Sequence, residues 1–163
     1  MNLRQRLKRS KWLTTAYHES SHAVAAIHLG HPFDYIEVNP YNSERGRMMA
    51  DEETDAKVTA LIALQGLLFE HWLTPSIPVI PKDDENGDWE IALDCGWRLC
   101  DDGQTETAVR RLLPEADSLF QQHFDDIITL GEALRRKGRS GRLSYSECRE
   151  ILGVARVSES PNA

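Results

Sequence analysis

Residues 16–27 place three ionisable side chains inside a stretch that is otherwise small or apolar. The stretch reads AYHESSHAVAAI, so that His18, Glu19 and His22 stand among alanines, serines and branched residues. The alanine-rich run predicts a helix that other elements cover over most of its surface. Buried imidazoles and carboxylates need partners, because an unpaired buried charge is costly. Any fold of this chain must therefore bring complementary groups to this helix.

The spacing of the two histidines suits a metal ion. Residues four apart lie one above the other on the same helix face, so His18 and His22 can both offer an imidazole nitrogen to one zinc ion. Glu19 is turned about 100° around the helix, close to a water molecule at the metal but poorly placed as a ligand. The pattern indicates a zinc hydrolase site with Glu19 as general base. The alternative is a solvated helix face that carries two unrelated histidines.

The residues alone leave the third ligand open. His28 follows His22 by six residues, as in an extended zinc motif, but Ala25 stands where that motif needs glycine. A straight helix also turns His28 about 120° away from the face of His22. Glu70 and Asp88 are the carboxylate candidates, and for Asp88 the alternative is an acidic residue at a helix N-terminus. Spacing does not choose among these residues.

The hydrophobic periodicity predicts a mainly α-helical chain, an α+β fold with one small sheet. We expect a single domain over residues 1–152 and a frayed tail over 153–163. A strand is predicted at 33–40, a short strand or extended edge after Gly46, and an irregular loop at 74–87. The predicted helices cover residues 3–29, 51–73 and 88–100, a long amphipathic segment that includes 109–134, and a short last segment with Ser144 as N-cap and Glu147 completing a capping box.

Composition excludes several classes of function. The chain has 163 residues and a net charge of −7, which disfavours binding to nucleic acid or to anionic membranes. We expect no membrane span, because no apolar run approaches the roughly 20 residues that a spanning helix needs. The basic N-terminus has no apolar run behind it, unlike a secretory signal. The three cysteines, Cys95, Cys100 and Cys148, fit reduced thiols. We therefore expect a cytoplasmic protein.

The segment AYHESSHA at 16–23 resembles the AYHEAGHA signature in the peptidase domain of FtsH-type ATP-dependent zinc proteases, with six of eight positions identical. Later segments resemble that family in the same order across about residues 12–152. They are YIEVNP, LIALQGLLFEHWL, NGDWEIALDCGWRLC, the long helical segment from AVRRLL onward, and LSYSECREIL.

The resemblance implies a zincin-like helical metallopeptidase domain that binds Zn²⁺ through His18, His22 and Asp88, with Glu19 as base. Ser20 and Ser21 replace the alanine and glycine of the family signature. The chain has no phosphate-binding Gly-Lys-Ser/Thr loop. We therefore expect a metalloendopeptidase that acts without an ATPase of its own, on unfolded polypeptides or on a partner protein.

An extended polypeptide substrate needs a backbone with which to pair. The predicted strand, with Tyr35, Ile36 and Val38, and the extended segment with Arg47 and Met48 are the candidates. Two other functions stay open: a regulatory protease that cleaves one dedicated partner, and a non-catalytic metal-stabilised pseudopeptidase that serves as a binding module. Assembly into a homo-oligomer is also left open.

Overall fold

The computed structural model describes residues 2–38, 47–50 (backbone only), 55–81, 87–100, 103–138 and 141–154. These residues form seven helices and three strands, which confirms the prediction of a mainly helical fold with one small sheet. In chain order they are α1 (Leu3–Leu7), α2 (Lys11–His28), β1 (Phe33–Glu37), β2 (Arg47–Ala50), α3 (Ala56–Leu73), α4 (Gly87–Leu99), α5 (Thr105–Gln122), α6 (Phe124–Arg136), β3 (Arg142–Ser144) and α7 (Tyr145–Ile151).

Some of the predicted features lie wholly or partly outside the described residues. They are the end of the predicted strand (39–40), the turn around Gly46, the start of the predicted helix at 51–54, residues 82–86 of the predicted loop, and nearly all of the predicted tail, residues 155–163. None of the helices among the described residues is both long and apolar enough to cross a membrane.

Helix α2 forms the centre of the structure. It packs against α3 on one side and α6 on another, and it also touches β1, β2 and α7. Ala16, Ala23 and Ala26 are fully buried, and Ile27 is nearly so. Small side chains allow the neighbouring helices to approach closely. The prediction that this helix is covered by other elements is therefore confirmed.

Two helices that were predicted as continuous are each interrupted. Ser10 has an extended backbone (φ −146°, ψ 106°) and its hydroxyl accepts a hydrogen bond from the Leu13 N–H, so that it caps α2 and separates it from α1. The long C-terminal helix breaks at His123, whose backbone (φ −111°, ψ 20°) ends α5 and precedes α6. Periodicity missed both breaks because the apolar faces continue in phase across them.

The sheet is antiparallel in the order β2–β1–β3. Ile36 of β1 lies opposite Met48 on one side and opposite Leu143 on the other. The short strand β3 was not predicted, whereas the capping box of Ser144 and Glu147 that follows it is confirmed.

The central position of β1 corrects one prediction about substrate binding. Tyr35, Ile36 and Val38 cannot pair with an extended peptide, because both edges of β1 are already hydrogen-bonded and the Val38 N–H donates to the Gly141 carbonyl. Ile36 and Val38 are also buried.

Gly131 makes the contact between α2 and α6 possible. A Cβ at this position would lie 2.7 Å from the ring of Tyr17, the residue before His18. We expect Gly131→Ala to lower the free energy of unfolding by about 1–3 kcal/mol, since a packed core resists added atoms. Urea denaturation measures this change.

Gly87→Ala is the matched control, because no described atom lies within 4 Å of the added Cβ. Its stability should stay within about 0.5 kcal/mol of the wild type. Equal stabilities of the two variants would contradict the packing described here.

Candidate metal centre

Three potential ligand atoms converge where α2, α3 and α4 meet. The Nε2 atoms of His18 and His22 lie 3.2 Å apart. The Asp88 Oδ2 atom lies 3.0 Å from His18 Nε2 and 3.4 Å from His22 Nε2. The three atoms thus form a nearly equilateral triangle made by residues from two helices.

The size of this triangle fits a metal ion. Zinc binds nitrogen and carboxylate oxygen at about 2.0–2.2 Å, so neighbouring ligands of a tetrahedral site lie about 3.3–3.6 Å apart. The observed separations of 3.0, 3.2 and 3.4 Å are close to that value. Three donor atoms at these separations could bind one such ion together.

Gly66 on α3 provides the space for this triangle. A Cβ at this position would lie 2.2 Å from the Asp88 Oδ2 atom, 2.7 Å from His22 Cε1 and 2.8 Å from His18 Cε1. All three ligands therefore pack directly onto the bare backbone of one residue. Any larger side chain would occupy the volume that the ligands need.

Hydrogen bonding fixes the imidazole of His22. Its Nδ1 atom lies 2.8 Å from the carbonyl oxygen of Ile62. Since a carbonyl can only accept, Nδ1 carries the proton, and the lone pair of the neutral ring is on Nε2, inside the triangle. On His18 the outer nitrogen, Nδ1, lies 3.6 Å from the Glu70 carboxylate. The hydrogen bond to Ile62 is of the kind that orients metal-bound histidines, whereas the contact of His18 with Glu70 is too long for a hydrogen bond.

The electrostatics of the cluster favour a positive charge between its members. Burial is the largest single effect and opposes the charged form of His22, but the charge and hydrogen bond of Asp88, the charge of Glu19 and the Ile62 carbonyl together raise the pKa of His22 to about 9. Burial likewise opposes the ionised form of Asp88, but the two histidines hold the pKa of this carboxyl well below its usual range. The negative charge of Asp88 therefore stabilises positive charge on the neighbouring imidazoles.

Glu19 lies beside this centre and is almost completely buried, at 5% exposure. Burial raises the pKa of its carboxyl, and the charges of His18 and His22 partly oppose that shift. A buried carboxylate with a raised pKa beside two imidazoles is a group that can take up a proton.

Among the candidates for a third ligand, the structure brings Asp88 to the two motif histidines. Glu70 lies on the outer side of His18 instead. His28 is at the far end of α2, where its Nε2 atom lies 2.9 Å from Asp126. His71 points to the Ile77 carbonyl.

The edge strand β2 contains Arg47 and Met48, and β2 contacts α2. Of the two segments predicted to bind substrate, β2 is therefore the one that lies at an edge of the described sheet.

Sequence reasoning missed Gly66 and Ile62 as parts of the centre. Ile62 contributes only its backbone carbonyl. Every residue has such a group, so the identity of residue 62 does not indicate this role. Gly66 interrupts the apolar run LIALQGLLF in the middle of α3. A glycine inside a helix lowers stability relative to alanine. Its presence in the middle of α3 could have indicated that another group occupies the space of the missing side chain.

A comparison of the chain with models of known protein families gives no match. A search among curated proteins likewise gives no significant match.

We expect Gly66→Ala to weaken zinc binding by at least about 100-fold, because the new methyl group displaces all three ligands. Gly96→Ala is the matched control: its Cβ would lie 2.6 Å from the Val109 side chain, at the contact of α4 with α5. Both variants should lose stability, but only Gly66→Ala should lose affinity in a competition titration with a zinc chelator. Equal zinc affinities would contradict the assigned role of Gly66.

Proposed function

We propose that this protein is a zinc-dependent endopeptidase whose metal ligands are His18, His22 and Asp88. The observation that carries the proposal is the triangle of ligand atoms, with edges of 3.0 to 3.4 Å, beside the buried carboxylate of Glu19. The resemblance to the FtsH peptidase signature predicts the same ligands and the same base, and it agrees with the convergence of Asp88 on the two histidines.

The donor set supports zinc as the resident ion. Two imidazoles and one carboxylate suit borderline metals such as Zn²⁺, while Mg²⁺ and Ca²⁺ prefer sites made of oxygen alone. The same set of two histidines and one carboxylate, with one open position, is typical of catalytic zinc sites rather than structural ones.

A bound zinc ion would polarise the carbonyl of the scissile peptide and lower the pKa of water. Glu19 then accepts the proton of the water molecule that attacks the carbonyl carbon, and it donates this proton to the leaving amine nitrogen as the C–N bond breaks. The Ile62 carbonyl keeps the His22 ring in the tautomer that the ligand role requires. The charge balance is complete, because Glu19 ends the cycle ionised as it began.

An extended segment of polypeptide fits this site best as substrate. Within the described sheet, β2 pairs on one side only, with β1, so a peptide can add as a further strand. The contact between β2 and α2 joins this edge to the helix that carries the ligands. Unfolded segments and exposed tails can adopt the extended form without an ATPase that unfolds them.

Replacement of the base tests the chemistry. We expect Glu19→Gln to keep the fold and the zinc ion and to lower peptide hydrolysis by about 10²–10⁴-fold. The measurement uses a fluorogenic, unfolded polypeptide, together with zinc content and circular dichroism of the same sample. Glu90→Gln, an exposed position on α4, is the control and should keep full activity.

Full activity of Glu19→Gln would overturn the assignment of the base. Zinc binding by the wild type without turnover of any unfolded substrate would instead favour the binding-module alternative.

Removal of carboxylates tests the third ligand. We expect Asp88→Ala to lose the zinc ion, as His22→Ala does, because each removes one of three protein ligands. Glu70→Ala should keep the ion, with an affinity lowered by about 10-fold or less, since Glu70 lies behind His18 at an ion-pair distance and not among the ligands. Zinc affinities of the untagged proteins, measured by chelator competition, distinguish these outcomes. Retention of wild-type affinity in Asp88→Ala would assign the third position to another residue.

A further inference from the structure

A second group of metal-binding side chains lies at the other end of α2. His28 Nε2 lies 2.9 Å from Asp126 Oδ2, and His123 Nδ1 lies 3.2 Å from the same oxygen. All three ligand atoms lie within 4.8 Å of one another. Two of these separations again approach the roughly 3.3 Å between neighbouring ligands of a tetrahedral site.

This second cluster is distinct from the first. His28 follows His22 by six residues on α2, a distance of roughly 9 Å along the helix axis, and it points to other elements. Its partners come from the junction between α5 and α6: His123 separates the two helices, and Asp126 lies in the first turn of α6. The cluster thus joins parts of the chain that are 98 residues apart.

The position of the cluster allows an ion to enter from solvent. The three side chains are between 16% and 35% exposed. The two imidazole rings are stacked, with centroids 3.5 Å apart and an angle of 18° between their planes. Each ring therefore presents one nitrogen to the same carboxylate oxygen. Because the lone pairs of stacked rings run parallel, the two rings would turn out of the stack to share one ion.

We propose that His28, His123 and Asp126 form a second site for a divalent transition-metal ion such as Zn²⁺. Ions of this class bind well to imidazole nitrogen together with a carboxylate oxygen. Partial exposure predicts weaker and more rapidly exchanging binding than at the buried first centre. An ion here would fasten the C-terminal end of α2 to the junction of α5 and α6, and so would stabilise the helix that carries the catalytic residues.

The test uses the full-length, untagged, metal-free protein and zinc chloride alone. Equilibrium dialysis followed by elemental analysis should give two zinc ions per chain in the wild type. We expect one ion in His123→Ala and in Asp126→Asn. His71→Ala is the matched histidine control, because His71 belongs to neither cluster, and it should keep two.

A variant of the first centre separates this proposal from the proposed function. In His18→Ala one zinc ion should remain, and its addition should shift the imidazole NMR signals of His28 and His123. In the double variant His18→Ala/His123→Ala no ion should remain.

Several outcomes would overturn the second site. One is a wild type that holds a single ion, which His123→Ala keeps. Another is a zinc content that is the same in His18→Ala and in the double variant His18→Ala/His123→Ala. Circular dichroism of each variant establishes that the fold persists. Binding at the second site with none at the first would leave this inference standing and would remove the proposed peptidase centre.

Discussion

Helices α2 and α4 both meet α3 at Gly66, and this close contact determines where the buried ionisable groups of the protein can pair. Helix α2 carries two histidines and a glutamate into the interior, and a buried charge without a partner is costly. The Asp88 carboxylate supplies the partner, but it reaches the histidines only because α3 has no side chain at residue 66. The absence of a side chain at Gly66 therefore allows both the close packing of the helices and the meeting of Asp88 with the two histidines.

The same constraint accounts for the small residues along α2. Ala16, Ala23 and Ala26 are fully buried, and Gly131 lets α6 approach the ring of Tyr17. The two faces of α2 are thus held by tight contacts with α3 and with α6. A helix held on both sides keeps His18 and His22 in fixed positions, which a metal site needs for tight binding. Stability of the core and precision of the centre come from the same close packing.

Part of this picture follows from the sequence. The spacing of His18 and His22 predicted a shared helix face, and the resemblance to the FtsH signature selected Asp88, which the structure brings to those histidines. Periodicity did not predict the break at His123, because apolar residues continue in phase through it. It also missed β3, since three residues carry too little pattern.

The contribution of Ile62 was out of reach, because a backbone carbonyl can belong to any residue type. The cluster of His28, His123 and Asp126 likewise depends on tertiary contacts between distant segments, and no local spacing reports such contacts. The sequence suggests His28 as a ligand only for the first centre, although its angle on the helix turns it away from that face; the same angle directs it to α6.

The most direct measurement is the anomalous scattering at the zinc absorption edge from crystals of the protein grown with zinc. We expect a peak within about 2.0–2.2 Å of His18 Nε2, His22 Nε2 and Asp88 Oδ2, with Glu19 facing its open side. Well-ordered crystals without a peak in this triangle would show that these residues are not the metal ligands, and so would a peak that His18 or Asp88 does not touch.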